Sequence, residues 1–281
     1  MSTIIVDQNQ LRSDDLDHRL YYASPEDVFI LTDAALVEMM KSDQFESTSF
    51  GSLKNLRERS PFIFLGFAVS ELMRQELRDK RPTKEIISEE LTSEFRLYLV
   101  EMTAWGDFGP RHAKTMDLVK THQAELKLGQ LNVAQKRPYL LEAIKEWKQR
   151  LSESELKDLR DHKWTDAKWL EKSGLTAAWG VIGMLVKEGW TEDEAKAFCK
   201  QVPIIFRFEL AFNNLALRWL EWHGIETAPD EKILNDLIDL EYVVLATYCD
   251  KFLSVDQKAI ELYELLKRLL ILAGKPKEAP S

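Results

Sequence analysis

The sequence predicts an α/β protein with a small parallel sheet and a large, mostly α-helical insertion. Two observations predict this class. Short, continuous apolar runs at residues 28–32, 61–67 and 252–255 have the length and composition of buried strands, and the first two lead directly into segments with helical spacing. Between the second and third runs, from about 83 to 229, the apolar residues follow helical spacing almost throughout.

The first part of the chain contains one strand–helix unit. Residues 1–25 are polar and acidic, and we expect them to form a loosely docked lead-in. The apolar run 28–32 then predicts a strand that ends at Asp33. Residues 34–41 have helical spacing, and Glu38 lies within this helix.

A second strand–helix unit follows. The segment 42–60 is polar and rich in serine, which predicts a loop or a short helix. The apolar run 61–67 predicts a strand, and Glu71 falls in the first turns of the next helix. Pro82 is a natural helix stop, so residues 1–82 are interpreted as the first part of the core.

The middle of the chain, 83–229, is interpreted as a helical insertion. Capping boxes beginning at Ser152 and Thr191 predict two helix starts, because their side chains satisfy the unpaired amides of a first turn. Further helices are predicted within 88–102, 139–151, 175–186 and 203–222.

Residues 230–281 are expected to return to the core. An apolar helix carries Asp236 and Asp239, which share one helix face because they are three positions apart. The short strand 252–255 ends at Asp256.

Carboxylates at strand ends indicate a metal site. In an open parallel sheet, ligands bind beyond the carboxyl ends of the strands. A carboxylate in apolar surroundings must be exposed, paired or bound to a metal, and carboxylate oxygens suit Mg²⁺ or Mn²⁺. For each acid taken alone, a helix-capping role remains the alternative, since an aspartate at a strand end is most often a helix cap.

The order of these acids resembles the PIN-domain nucleases. In that family a strand ends in Asp, a later strand leads to a helix with Glu-Leu, a third acid heads an alanine-containing helix, and a fourth follows a strand and a hydroxyl residue. Asp33, Glu71, Asp239 and Asp256 match these places, with Ser254 as the hydroxyl. Further candidate metal ligands are Glu38, Asp236 and Asp250.

The resemblance covers residues 26–80 and 230–262. It implies a metal-dependent endonuclease that uses Mg²⁺ or Mn²⁺ to hydrolyse nucleic acid. RNA is the expected substrate and DNA the alternative, and the expected role is that of a toxin or defence effector. It also implies an inhibitory protein partner, with a homo-oligomer as another option. Two alternatives remain open: a non-catalytic helical interaction protein on a degenerate PIN-like scaffold, and a metal-dependent phosphatase acting on small phosphoesters.

Basic residues in the insertion are candidates for substrate binding. Residues 111–170 carry more Lys and Arg than Asp and Glu, and tryptophans interleave with them. Such a mixture suits single-stranded nucleic acid, although tryptophans at helical spacing are more often core residues. The candidates are Lys145, Lys148 and Lys163, together with Arg207 and Arg218 on the following long helix, where an ion pair closing the core is the alternative.

Composition limits the remaining classes of function. The 281 residues carry a net charge of −9, which argues against attraction of nucleic acid to the whole surface. No apolar run is long enough to span a membrane, and the polar N-terminus argues against a secretory signal. Cys199 and Cys249 fit reduced, buried thiols, so we expect a cytoplasmic protein without a membrane partner.

Overall fold

A computed structural model describes residues 2–40, 45–104, 133–222 and 225–273. Its sheet has five strands in the order β4-β3-β2-β1-β5. The strands are β1 (Thr3–Val6), β2 (Val28–Leu31), β3 (Ile63–Gly66), β4 (Ile87–Ser88) and β5 (Lys251–Leu253). All neighbours pair in parallel except β4, which is antiparallel to β3. The α/β class with a small, mostly parallel sheet is therefore confirmed.

Helices cover most of the remaining described chain. They are α1 (Asp14–Tyr21), α2 (Asp33–Met40), α3 (Phe45–Leu53), α4 (Val69–Asp79), α5 (Glu89–Ala104), α6 (Val133–Arg150), α7 (Glu153–Arg160), α8 (Asp166–Trp169), α9 (Leu175–Lys187), α10 (Glu192–Cys199), α11 (Ile204–Trp222), α12 (Asp230–Ala246) and α13 (Gln257–Leu272). Both predicted capping boxes are present, at Ser152 and Thr191. None of the described helices combines the length and hydropathy needed to cross a bilayer.

The strand β1 corrects the predicted N-terminal lead-in. Ile5 and Val6 are fully buried, because β1 lies inside the sheet between β2 and β5. Its β-branched run Thr3–Val6 favours extended backbone and packs well on a sheet covered on both faces. The segment expected to be loosely docked is therefore a central element of the fold.

The helical region and the sheet share one continuous hydrophobic core. Helix α11 is central to it, since it contacts α4, α6, α9, α12 and α13. Trp219 of α11 is 1% exposed. The predicted boundary at residue 83 also falls before β4, so the antiparallel edge strand belongs to the segment interpreted as the insertion.

Glu76 joins the first part of the chain to α11. This carboxylate on α4 is 1% exposed and accepts hydrogen bonds from the backbone N–H groups of Ile204 at 2.9 Å, Ile205 at 3.3 Å and Thr83 at 2.9 Å. Burial raises the pKa of Glu76, and these backbone bonds oppose the rise. The carboxylate thus satisfies two amides at the start of α11, which otherwise have no partner within the helix.

Candidate functional site

The candidate site lies at the carboxyl edge of three parallel strands. Val6 at the end of β1 pairs in register with Leu31 of β2 and Leu253 of β5. The residues that follow these strands therefore meet at one edge, and the backbone N–H of Asp7 donates to the carbonyl of Leu253 at 2.9 Å. This is the edge at which ligands bind in open α/β sheets.

Asp7 is the most buried carboxylate at this edge. It is 1% exposed and follows β1 directly. The hydroxyl of Ser254 donates to Asp7 Oδ2 at 2.5 Å, and the backbone N–H of Asn9 donates to Oδ1 at 3.2 Å. Burial raises the pKa of Asp7, and these two hydrogen bonds act in the opposite direction.

Asp239 reaches the same edge from α12. Burial, and to a smaller extent nearby carboxylates, together raise its pKa to about 8. In decreasing order of effect these carboxylates belong to Asp7, Asp256, Glu38 and Asp236. We call Asp239 and these four residues the acid cluster.

Glu38 is held in the cluster through a tyrosine. The hydroxyl of Tyr242 donates to Glu38 Oε2 at 3.0 Å and accepts from the backbone N–H of Gln8 at 3.2 Å. Tyr242 is fully buried on α12. This chain of hydrogen bonds fixes α2 and α12 relative to the end of β1.

Asp256 caps α13 and belongs to the cluster at the same time. Its Oδ1 accepts from the backbone N–H groups of Lys258 at 2.7 Å and Ala259 at 3.1 Å, which is the geometry of a helix cap. Its own backbone N–H donates to the Ser254 hydroxyl at 2.9 Å. Asp256 can therefore serve as a helix cap and as a residue of the candidate site at the same time.

Asp236 lies at the margin of the cluster, next to two lysines. Burial raises its pKa to about 6, while Lys258 and then Lys232 lower it. Its buried Oδ2 has no hydrogen-bond partner among the residues that the structure describes. The indole N–H of Trp219 is near enough to lower this pKa slightly, but it does not reach hydrogen-bonding geometry.

Three predicted ligands thus lie within electrostatic reach of Asp239, itself a predicted ligand, and the sequence analysis did not single out Asp7. Glu38, Asp236, Asp239 and Asp256 were all candidates, whereas Asp7 was placed in the lead-in. A signal for it existed, because Thr3–Val6 followed by Asp7 repeats the pattern of an apolar strand that ends in an aspartate.

Asp33 follows β2 at this edge of the sheet, and its assignment as the first acid stays a prediction. Asp33 is the first residue of α2. It lies near Glu241, where burial, opposed by Lys136 and aided by Asp33, raises the pKa of Glu241 to about 7. These side chains face a different side of α12 from Asp239.

Glu71 and Asp250 lie away from the acid cluster. Glu71 forms an exposed ion pair with Arg74 at 2.7 Å, which lowers the pKa of Glu71, and its helix follows β3, two strands or roughly 10 Å from β1. Asp250 accepts from the backbone N–H of Thr3 at 2.8 Å and from its hydroxyl at 2.9 Å. Since Thr3 begins β1, Asp250 lies at the opposite edge of the sheet from Asp7.

The predicted substrate-binding arginines have structural partners. Arg207 is buried and donates to the carbonyl oxygens of Val202 and Thr247. Its Cζ lies 3.8 Å from the centre of the Tyr248 ring. Arg207 is therefore a core residue rather than a substrate contact. Arg218 forms an ion pair with Glu261 at 3.0 Å.

The predicted lysines differ in their surroundings. Lys163 forms an ion pair with Asp161 at 2.7 Å. Lys145 and Lys148 are exposed on α6 and line a cavity of about 270 Å³ that reaches Trp219. Their role in substrate binding stays a prediction.

The acid cluster fits a divalent cation in its donor chemistry. Its oxygens are the hard ligands that Mg²⁺ and Mn²⁺ prefer, and the buried Asp236 Oδ2 lacks the partner that such an oxygen needs. Within residues 2–40, 45–104, 133–222 and 225–273, however, no three or more His, Cys, Asp and Glu side chains are grouped so that they could hold a metal ion as they stand. Cation binding would therefore require these side chains to move closer together.

Comparison of the chain with protein-family models, with curated proteins and with solved structures finds no match. The functional conclusion therefore rests on the residues of the site.

Proposed function

We propose that the acid cluster binds Mg²⁺ or Mn²⁺ and hydrolyses phosphodiester bonds of nucleic acid, with RNA as the proposed substrate and DNA as the alternative. The observation that carries this proposal is that four carboxylates lie within electrostatic reach of Asp239 at one edge of the sheet. They come from the end of β1, from α2, from α12 and from the residue that caps α13. Because these elements are distant in sequence, the convergence is a property of the fold.

Charge supports a cation as the ligand. Carboxylates within electrostatic reach of one another repel, and burial makes each charge more costly. When bound, the cation supplies activation of a water nucleophile and neutralises charge that develops on the phosphate. Asp7, Asp239 and Asp256 are the residues proposed to hold it, with Glu38 and Asp236 beside them.

Neighbouring side chains orient these ligands. The Ser254 hydroxyl holds Asp7 and also receives the backbone N–H of Asp256, so one residue positions two carboxylates. The Tyr242 hydroxyl holds the carboxylate of Glu38 through a hydrogen bond. Such outer partners fix the direction of a ligand and are part of a working metal site.

The PIN-like order of acids supports the proposal more closely after two replacements. Asp7 takes the place given to Asp33, as the acid that ends a strand, and Glu38 takes the place given to Glu71, on the helix after the next strand. Asp239 and Asp256 keep their places, and Ser254 remains the hydroxyl before the last acid.

Cleavage of labelled single-stranded RNA and DNA oligonucleotides tests this function. We expect cleavage with Mn²⁺ or Mg²⁺, none in excess chelator, and a loss of at least about 100-fold in Asp7→Asn and Glu38→Gln, because each removes a charge from the metal site. Glu71→Gln is the matched control and should cleave as the parent does. An inactive parent, or full activity in both cluster variants, would contradict the proposal.

A second candidate function is the non-catalytic interaction protein. It is favoured by an apolar groove of about 800 Å³ between α8, α9, α10 and the end of α13, with Leu175 and Leu272 more than half exposed at its margin. An inhibitory partner or a second copy of the chain would fit such a surface. This candidate predicts that the parent protein cleaves neither RNA nor DNA under any of the conditions above.

A further inference from the structure

Three helix ends bring aromatic and basic side chains together beside the acid cluster. Trp222 ends α11, Lys232 lies in the first turn of α12, and Lys258 lies in the first turn of α13. Arg218 stands one turn before Trp222. We call these four residues the basic–aromatic patch.

The contacts within the patch are short. Lys258 Nζ lies 4.5 Å from the centre of the Trp222 ring, and Arg218 Cζ lies 5.9 Å from the same centre. Lys232 Nζ lies 4.7 Å from the ring centre of Trp219, which packs against Trp222 with their centroids 6.1 Å apart. Cations at these distances are attracted to the faces of the rings.

The patch adjoins the acid cluster. Lys258 follows Asp256 by two residues, and Lys232 precedes Asp236 by one helical turn. Both ammonium groups act on the carboxylate of Asp236, which places them within electrostatic reach of it. A ligand that spans the patch would therefore extend directly into the cluster.

Trp222 is the aromatic residue available to a ligand here. Its ring is half-buried, whereas Trp219 is 1% exposed. Of the tryptophans that the sequence suggested for stacking, Trp147 is 3% and Trp169 is 7% exposed. Trp164 is half-buried, but its ring packs edge-on against Trp169 and its indole N–H donates to the carbonyl of Glu155 at 3.2 Å. Lys232 is exposed and Lys258 is half-buried, so both ammonium groups can reach a bound phosphate.

The location of these cations matters in an acidic protein. A net charge of −9 and a cluster of carboxylates repel a polyanion unless positive charge lies next to the site. Lys232 and Lys258 supply such charge, and a cavity lined by Lys145 and Lys148 also reaches Trp219.

We propose that the basic–aromatic patch is a subsite for single-stranded nucleic acid, in which an unpaired base stacks on Trp222 and the adjoining phosphates pair with Lys258 and Lys232. This inference rests on the proposed function, because it describes how the substrate of the acid cluster is held. Stacking on an aromatic ring requires an unpaired base, so the subsite selects single strands over duplexes.

Lys258 has two partners in this proposal. In the ligand-free protein its ammonium group covers the Trp222 ring. A base that stacks on Trp222 replaces this weaker contact and leaves the ammonium group for a phosphate.

Fluorescence anisotropy with a labelled single-stranded oligoribonucleotide tests the subsite. Binding is measured in the Asp239→Asn variant, which is expected not to cleave the oligonucleotide during the measurement. Trp222→Ala should weaken binding about 5- to 100-fold, as expected for one lost stacked base. Trp222→Phe should recover part of this loss, and Trp179→Ala, which removes an exposed tryptophan on α9, should change nothing.

The lysines are tested through the salt dependence of binding. The Lys232→Gln, Lys258→Gln double variant should reduce the slope of log affinity against log salt by about 0.7 for each lost phosphate contact. Lys157→Gln with Lys187→Gln is the matched control on exposed lysines outside the patch, and its slope should equal that of the parent background.

Three outcomes separate this inference from the proposed function. Parental single-strand affinity in both Trp222→Ala and the lysine double variant would overturn the subsite while leaving cleavage by the acid cluster intact. Loss of binding in these variants, with no cleavage by the parent, would support the subsite and overturn the nuclease. Equal affinity of the parent background for single strand and duplex would also overturn the subsite.

Discussion

Replacing Asp239 by asparagine is expected to stabilise the metal-free protein at about pH 8 by up to about 5 kcal/mol, although it removes a proposed ligand. Burial and four neighbouring carboxylates raise the pKa of Asp239 to about 8. In the unfolded chain the same group loses its proton near pH 4. Between these two values the folded state binds a proton that the unfolded state does not, so the stability of the parent falls as pH rises from about 4 to about 8.

Thermal melts in chelator across this pH range measure the effect. The parent should lose stability toward pH 8, and Asp239→Asn should show a flatter profile because it has no such proton to lose. Added Mn²⁺ should restore the parent at pH 8 and have little effect on the variant. Glu71→Gln is the control and should follow the parent. A variant that is less stable than the parent at pH 8 would contradict the repulsion assigned to the acid cluster.

Removing the Glu76 side chain is expected to lower the free energy of unfolding by about 3 kcal/mol. Glu76→Ala leaves the buried backbone N–H groups of Ile204 and Ile205, and the partly buried one of Thr83, without their acceptor. An unsatisfied buried donor costs about 1–3 kcal/mol, and two of these donors belong to the start of α11. The link between α4 and α11 would therefore weaken at the centre of the fold.

Urea denaturation gives this value, and α4 provides a matched control. Glu71→Ala removes a carboxylate from the same helix whose partner is an exposed arginine, and such surface pairs contribute at most about 1 kcal/mol. Glu76→Gln should lie between the two, because its amide oxygen can still accept one or two of the bonds. Equal stability of Glu76→Ala and Glu71→Ala would show that the buried carboxylate does not join the two elements.

Much of the architecture follows from local sequence patterns. The strands β2, β3 and β5 were visible as short apolar runs bounded by polar residues, and the capping boxes at Ser152 and Thr191 fixed two helix starts. β1 was missed because its four residues lie within a polar, acidic segment. The burial of that strand depends on pairing with β5, almost 250 residues away, and no local pattern reports such a contact.

The site was harder to predict than the fold. Position at a strand end identifies a candidate acid, but not the direction of its side chain. Asp33 and Glu38 lie on one helix about 140° apart at 100° per residue, and Glu38 is the one that reaches the acid cluster. Asp250 lies away from the cluster for a related reason: it precedes β5 at the amino edge of the sheet, whereas Asp256 follows β5 at the carboxyl edge.

Calorimetric titration of Mn²⁺ into the parent, Asp7→Asn and Glu71→Gln tests the metal site most directly. The parent and Glu71→Gln should bind Mn²⁺ with the same affinity and release protons on binding, because the raised pKa of Asp239 leaves it protonated before the cation arrives. Asp7→Asn should bind at least about 10-fold more weakly. A parent that binds no Mn²⁺, or an Asp7→Asn variant that binds as the parent does, would contradict the assignment of the acid cluster as a metal site.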